Sequence, residues 1–470
     1  MANFLIKLTE FLCNAVWSAP TVITILSLGA FFTVKLKFFQ IKYFRHILKS
    51  TIFSVFKNKN KNGLSPFQTL AVTLSATLGT GSIAGVATAI VSGGAGAVFW
   101  MWVSAFLGTA VSYVENILGV YFRERQNDGS FKGGAMYCFK NGFKNKKLTS
   151  VLGGIFAFSV ILASFGIGNT VQTNTLASAL NSANIGISRS MAGVVTGLLL
   201  FIIIFKGTGT VAKVSGFIMP VMAIMYLAGT LTIIIKNINN LPSVLSLIIR
   251  SAFGLDAICG GINGAMVKSA ISFGVRRGIF SNEAGMGSTV LINSASNTTE
   301  PAEQGMWGIF EVIFNTVIIC SLTAFAVMSC GLIDLETGKL LTNATGALLV
   351  ALAFKTVFGK YAFYFVAVLT VFFAFSTLLG WSFYGISCTE YLFGKNTVWV
   401  YKLLFSVSAY FGTVADLRFI WILSDLFNGI MIIPNLICII ALSPLAFKIS
   451  ENYIERKLYG NKYVPPLIKY

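Results

Sequence analysis

From Asn62 to Val114 the chain carries no charged residue. A hydrocarbon layer about 30 Å thick is crossed by roughly 20 apolar residues in a helix, so this stretch is too long for one span. The GGAGA at 93–97 divides it into helices of about 66–92 and 97–122. Within the first of these, residues 75–90 read SATLGTGSIAGVATAI. Gly79, Gly81 and Gly85 fall where a stable helix has none.

The rest of the chain is of the same kind. It is 55% hydrophobic and 11% charged, with a mean hydropathy of +0.78, against about 25% charged residues in soluble domains. An all-α integral membrane protein is expected. Lys7 and Glu10 interrupt the opening residues, and no small-residue cleavage pattern follows the first apolar run, so that run reads as a retained helix.

Eleven charge-poor runs are long enough to span: about 13–34, 66–92, 97–122, 150–181, 190–205, 211–235, 257–295, 305–331, 361–389, 398–413 and 418–447. The run at 257–295 is the least regular, since it holds Lys268, Arg276, Arg277 and Glu283. The net charge of +19 lies between the runs rather than on a soluble face, which favours a topology signal over nucleic acid. Lys35, Lys37, Lys42, Arg45, Lys49, Lys57, Lys59 and Lys61 follow the first run. Arg123, Arg125, Lys132, Lys140, Lys144, Lys146 and Lys147 follow the third, and Lys448, Arg456, Lys457, Lys462 and Lys469 end the chain. Eleven spans with the amino terminus outside and the carboxyl terminus in the cytoplasm put all three clusters inside. Residues 1–62 then form an N-terminal helix and basic loop, 63–450 a ten-helix core and 451–470 a cytoplasmic tail.

Several functions fall away. His46 is the only histidine, so a bis-histidine haem or a histidine-rich zinc site cannot be built. Cys13, Cys138, Cys259, Cys320, Cys330, Cys388 and Cys438 include no CxxC pair and read as small packing residues. No Walker motif, no Ser–His–Asp constellation and no repeated filter of a channel is found. An enzyme, an ATP-driven pump and a passive pore are all disfavoured.

Gly81 and Gly85 also fit a GxxxG helix-packing face. A second interruption changes the balance. Residues 278–288, GIFSNEAGMGS, place Gly278, Gly285 and Gly287 beside Asn282 and Glu283 within the seventh run. With the first helix set apart, the two broken spans are the first and sixth of ten, and they open two consecutive sets of five. Glycine-interrupted spans at matching places in two halves point to a secondary transporter of inverted repeats. Unwinding at mid-membrane frees backbone groups that cost several kcal/mol each unless a ligand or cavity satisfies them. Freed N–H groups suit a carboxylate and freed carbonyls a cation, so a zwitterionic amino acid with a co-transported ion uses both.

At these residues the chain resembles the alanine/glycine:cation symporter family, also called sodium:alanine symporters. The matching words are GTGSIAGVATAI at 79–90, GAVFWMWVSAFLG at 96–108, GIGNTVQTN at 166–174, GVRRGIFSNEAGMGS at 274–288 and LGWSFYG at 379–385. The resemblance implies a leucine-transporter-like 5+5 inverted repeat preceded by one extra helix, and sodium-driven uptake of small neutral amino acids such as alanine or glycine. The family usually has Asn at the position of Ser82, and Pro at those of Ala95 and Ala135. Ser82 borders the unwound segment, where it bears on substrate preference or ion affinity.

Thr77, Gly79, Thr80 and Gly81 are expected to form the unwound segment and to receive the substrate carboxylate. Phe165, Asn169 and Gln172 are spaced to share one helical face; the resemblance implies that Gln172 touches the polar end of the substrate and that Phe165 closes the pocket. Asn282 lies in the second break, facing either the substrate or the freed backbone, and Trp381 walls the pocket. For sodium, the inverted-repeat fold suggests Ser376 and Thr377 with carbonyls near Ala76 and Gly79, with no carboxylate nearby. Glu115, Glu283, Glu311 and Asp425 read as gate or structural acids. Glu283 with Arg276 and Arg277 is expected to form an inner-gate ion pair, and a proton relay is the alternative to sodium coupling. Sodium is thus the expected co-transported ion, with no organic cofactor and no nucleic-acid partner. A monomer in the lipid bilayer suffices for transport.

Overall fold

In the computed structural model residues 2–54, 64–254 and 262–469 are described. Lys57, Lys59, Lys61 and Cys259 of the preceding section lie outside them. Among the described residues helices dominate, and the β structure is confined to a hairpin of Glu124–Arg125 with Phe131–Lys132 and two isolated bridges.

Seven stretches among the described residues are long and apolar enough to cross a membrane: Leu8–Lys35, Gly96–Tyr121, Lys146–Ser182, Thr208–Lys236, Pro301–Ser329, Gly346–Phe393 and Phe419–Leu458. Their outward faces are apolar. Phe217 is 73% exposed and Ile224 66%, a cost in water that lipid removes. Four other expected runs appear as shorter helices: Arg189–Phe205, Val398–Val414 and the two that are broken. The first run is itself bent at Trp17–Ser18, where Ala2–Val16 ends and Ala19–Lys35 begins with Pro20 in its first turn.

Each break has a local cause. The first half-helix, Pro66–Thr77, starts at a reciprocal capping box of Ser65 and Gln68. It stops at Leu78, and after a single tight turn at Thr80–Ser82 the second half runs Ala84–Gly93. In the other broken span Ile262–Asn282 gives way to Thr289–Asn293. Between them Glu283, Gly285 and Gly287 all have positive φ (57°, 87° and 74°). Glycine adopts that conformation freely, whereas a residue with a Cβ pays roughly 1–2 kcal/mol, so Glu283 is held there by its surroundings.

The Gly96–Tyr121 helix packs along both Ile262–Asn282 and Pro301–Val312. Small residues allow the close approach: a Cβ on Gly274 would lie 2.5 Å from the Ala97 carbonyl oxygen, and one on Gly278 2.4 Å from Ser104 Oγ. Two further regular helices insert π turns, at Gly166–Thr170 and at Ile313–Cys320. The second carries Asn315 and the first ends just before Gln172, and both bear on the site.

The sequence reading missed the amphipathic Leu241–Phe253 and Gly346–Phe358 helices. Each is 13 residues, too short to be read as a span by itself, and the second leads into Ala362–Phe393 within the Gly346–Phe393 stretch.

Candidate functional site

The two breaks meet. Among the residues around a small cavity of about 10 Å³ are Ala76, Thr77, Gly79 and Gly81 from the first break and Phe280 and Glu283 from the second span. Ile167, Gln172, Thr377 and Trp381 complete the wall. The space fits about one water molecule, so the structure is collapsed around the site.

The backbone groups freed by unwinding are satisfied by side chains. Gln172 Oε1 accepts from the Thr80 amide at 3.1 Å and from Thr80 Oγ1 at 2.9 Å, while its Nε2 donates to Ile167 O at 2.8 Å. Thr377 Oγ1 donates to Ser75 O at 3.0 Å, and Thr323 Oγ1 to Ser82 O at 2.8 Å. In the second break, Ala284 N donates to Asn282 Oδ1 at 3.0 Å and Gly285 N to Glu115 Oε2 at 3.2 Å. Asn435 Nδ2 reaches both Gly285 O and Glu115 Oε1.

Asn315, on the second π turn, ties the two breaks together. Its Nδ2 donates to Thr77 O at 3.0 Å and to Ser281 O. Its Oδ1 accepts from Ser82 Oγ and Ser281 Oγ, both at 2.9 Å. Sequence reasoning passed over Asn315. The available signal was a lone amide in the otherwise apolar stretch IFNTVIIC, a group that is costly in a membrane unless bonded.

Thr77, Gly79, Gly81, Gln172 and Trp381 line the cavity as a set, and Thr80 is bonded to Gln172. Phe165 and Asn169 depart from the expected shared face. Phe165 packs edge-on against Tyr401 and Phe405, and Asn169 Nδ2 donates to Phe405 O at 2.6 Å. The π turn at 166–170 inserts between Phe165 and Gln172, so the regular helical spacing fails there. Phe165 and Asn169 turn to the Val398–Val414 helix while Gln172 turns to the break. Asn282 is turned from the cavity as well, donating to Thr316 Oγ1 at 3.0 Å and capping its own break.

Ser376 and Thr377 sit against the first break, and the carbonyl they reach is that of Ser75, not Ala76. Both also donate to Phe373 O of their own helix. A carboxylate does lie nearby, against expectation: Glu283 shares the cavity wall with Thr377. It accepts from Ser288 Oγ at 2.5 Å and Trp381 Nε1 at 3.1 Å.

The expected pairing of Glu283 with the arginines is therefore corrected. Arg276 meets Asp425 at 2.6 Å and Arg277 meets it at 3.3 Å, because residues six and seven back from Glu283 lie about two helical turns, roughly 9–10 Å, along the axis from it, while Asp425 comes alongside them from another helix. This ion-pair cluster borders a vestibule of about 1030 Å³ on the side of Glu10, Ser92 and Ser182. Arg277 stacks on Trp421, with its guanidinium 4.6 Å from the ring centroid, and Trp421 lies 5.1 Å from Phe280. Arg277, Trp421 and Phe280 form the layer between vestibule and cavity.

The profile of the sodium:alanine symporter family matches residues 2–465. A sodium/alanine symporter of Methanococcus maripaludis is 38% identical over 96% of this chain and 97% of its own. A Bacillus subtilis protein named "Probable sodium/glutamine symporter" is 36% identical over 95% of this chain and 90% of its own. A second Bacillus subtilis protein, named as a proposal for sodium/proton-dependent alanine carriage, is 35% identical over 98% of this chain and 94% of its own. Paired breaks around a small cavity and this match along nearly the whole length lead to one conclusion: the chain belongs to the sodium:alanine symporter family.

Proposed function

We propose that the protein imports a small neutral amino acid, alanine or glycine, driven by a sodium gradient, and that it alternates access to a site at the two breaks. The observation that carries this reading is the convergence of Gly79, Gln172, Thr377 and Trp381 on one small cavity between the two interruptions, with the Thr80 amide held by Gln172 at its edge. The substrate carboxylate takes the Thr80 amide from Gln172, its ammonium faces the freed carbonyls, and Trp381 limits side-chain size. Sodium is held by the Ser376 and Thr377 hydroxyls with carbonyls of the first break. Counting the two broken spans and the two 17-residue helices with the seven long stretches gives eleven crossings. On this reading a 5+5 inverted repeat follows one extra helix and the carboxyl terminus lies in the cytoplasm, an orientation that the basic loops support. A monomer holds every residue the site needs.

Proton coupling is the second reading, favoured by Glu283 in the cavity wall. Uptake of labelled alanine into proteoliposomes decides between them. Sodium coupling requires uptake to vanish when sodium outside is replaced by choline at constant pH. Uptake that persists under choline and follows a pH gradient establishes the proton instead.

A further inference from the structure

The chain begins the first broken span and leaves the second at one point. Leu64 N donates to Ala295 O at 3.1 Å, and Asn297 N donates to Leu64 O at 3.0 Å. These bonds make a parallel bridge between Leu64 and Ser296. The Pro66–Thr77 half-helix starts just after Leu64, and the Thr289–Asn293 half ends just before Ala295. The free ends of both halves are thus zipped together at the end of the bundle opposite the vestibule, and neither can swing outward while the zip holds.

Arg123 lies across it. Its Nη1 donates to Ser296 O at 2.6 Å and to Ser294 O at 3.3 Å, and its Nη2 donates to Thr298 O at 2.7 Å. The three acceptors lie where the Thr289–Asn293 helix ends in a turn and the chain leaves it, Ser294 still having helical φ −70° and ψ −23°, and the planar guanidinium fork presents its donors to all three carbonyls in one fixed geometry. The guanidinium is packed 3.8 Å from the Phe131 ring centroid. The same segment is pressed on bare backbone: a Cβ on Gly119 would lie 2.1 Å from Val290 Cγ1, and one on Gly133 2.4 Å from Ser294 Cβ.

We propose that Arg123 is the positioning residue that fastens the pathway shut at the Leu64 end, and that it lets go of the Ser294–Thr298 carbonyls each time the protein opens there. The inference rests on the alternating-access reading above. The acceptors belong to the segment that must move. Once it swings away, entering water replaces the hydrogen bonds on both sides, so the clamp holds without making opening prohibitive.

The test places a cysteine at Ser294, whose hydroxyl has no hydrogen-bond partner. Labelling of full-length protein by a membrane-impermeant maleimide is followed in inside-out and right-side-out vesicles, over the background of the native cysteines and without substrate. R123Q should raise the labelling rate at position 294 in inside-out vesicles at least about 5-fold, the shift expected from losing roughly one net hydrogen bond. R123K, which keeps the charge but not the fork, should fall between; if R123Q does not accumulate, R123K carries the test. An unchanged rate overturns the proposal, and so does an equal rise from both sides, which signals general loosening. Because the readout uses no cargo, a wild-type protein that fails to carry any amino acid refutes the functional reading while the labelling still decides the clamp.

Discussion

Gln172 Oε1 takes both hydrogen bonds that Thr80 can give, one from its amide at 3.1 Å and one from its hydroxyl at 2.9 Å. The first is the N–H that unwinding releases and that suits an incoming carboxylate. Under the proposed function the protein supplies its own amide oxygen in the collapsed site where the substrate carboxylate would bind. Substrate entry would then exchange one oxygen for another and leave the buried N–H paired throughout.

Gln172→Glu tests that exchange. It keeps the length and the acceptor but fixes an anion beside Thr80, where it opposes the carboxylate of the substrate. The KM for alanine should rise at least about 10-fold, the scale of a charged hydrogen-bonding group gained or lost at a buried site. An unaltered KM in uptake assays places the carboxylate elsewhere.

Gly79→Ala probes space alone. Gly79 has φ −90° and ψ −168°, a conformation open to any residue, so alanine brings no backbone strain. Its Cβ, however, would lie 2.7 Å from Thr377 Oγ1 and 3.2 Å from Gln172 Oε1. The methyl group fills the cavity between the groups assigned to cation and substrate. The variant should accumulate normally by gel filtration yet lose uptake of labelled alanine; wild-type transport would show that the substrate does not bind there.

The breaks were legible because Gly79 with Gly81 and Gly285 with Gly287 cluster beside polar residues inside apolar runs, although Gly85 and Gly278, counted with them, lie within the Ala84–Gly93 and Ile262–Asn282 helices. Thr77, Gly79, Gly81, Gln172, Thr377 and Trp381 follow from the breaks and from the motifs around them, and they line one cavity. The orientation of Phe165 and Asn169 was not legible. A π turn adds one residue to a helical turn without a signature of its own, so spacing that predicts a shared face in a regular helix misplaces both. The partners of Arg276, Arg277 and Glu283 were equally hidden. Proximity in sequence suggested one ion pair, whereas Asp425 comes from a helix nearly 150 residues away.

Asn315→Leu should weaken the core more than its volume suggests. The swap preserves shape but strips the Thr77 and Ser281 carbonyls of their donor, and Ser82 and Ser281 of an acceptor. Each buried group left unpaired costs about 1–3 kcal/mol. The melting midpoint of purified protein should drop clearly, and more than for Thr323→Val, which removes a donor to Ser82 O and the hydroxyl partner of Tyr226. Equal melting of the two variants would show that the bridge between the breaks adds nothing.

Asp425→Asn leaves Arg276 and Arg277 facing a neutral amide. Removing one partner of a buried pair costs about 3–5 kcal/mol, because the remaining charge stays desolvated. Low yield and early melting are expected. Adding Arg277→Met should recover part of the loss, since it removes the stranded charge, and a double-mutant cycle measures the coupling. Additive losses would show that Arg277 does not depend on Asp425.

Thr377→Val addresses the ion. Valine matches threonine in shape but has no hydroxyl, and the lost bonds to Ser75 O at 3.0 Å and Phe373 O at 2.9 Å are both made to backbone oxygens that retain a second bonding position. If Thr377 serves only its own helix, stability shifts slightly and the sodium requirement stays put. If its oxygen coordinates sodium, one hard ligand of the site is gone, and the sodium concentration for half-maximal alanine uptake should rise at least about 10-fold, or about 1.4 kcal/mol. Thr377→Ser restores the hydroxyl without the methyl and should bring the sodium dependence back toward wild type. Measuring uptake against sodium at saturating alanine separates this effect from a change in substrate affinity, and coincident sodium curves for the three proteins would remove Thr377 from the ion site.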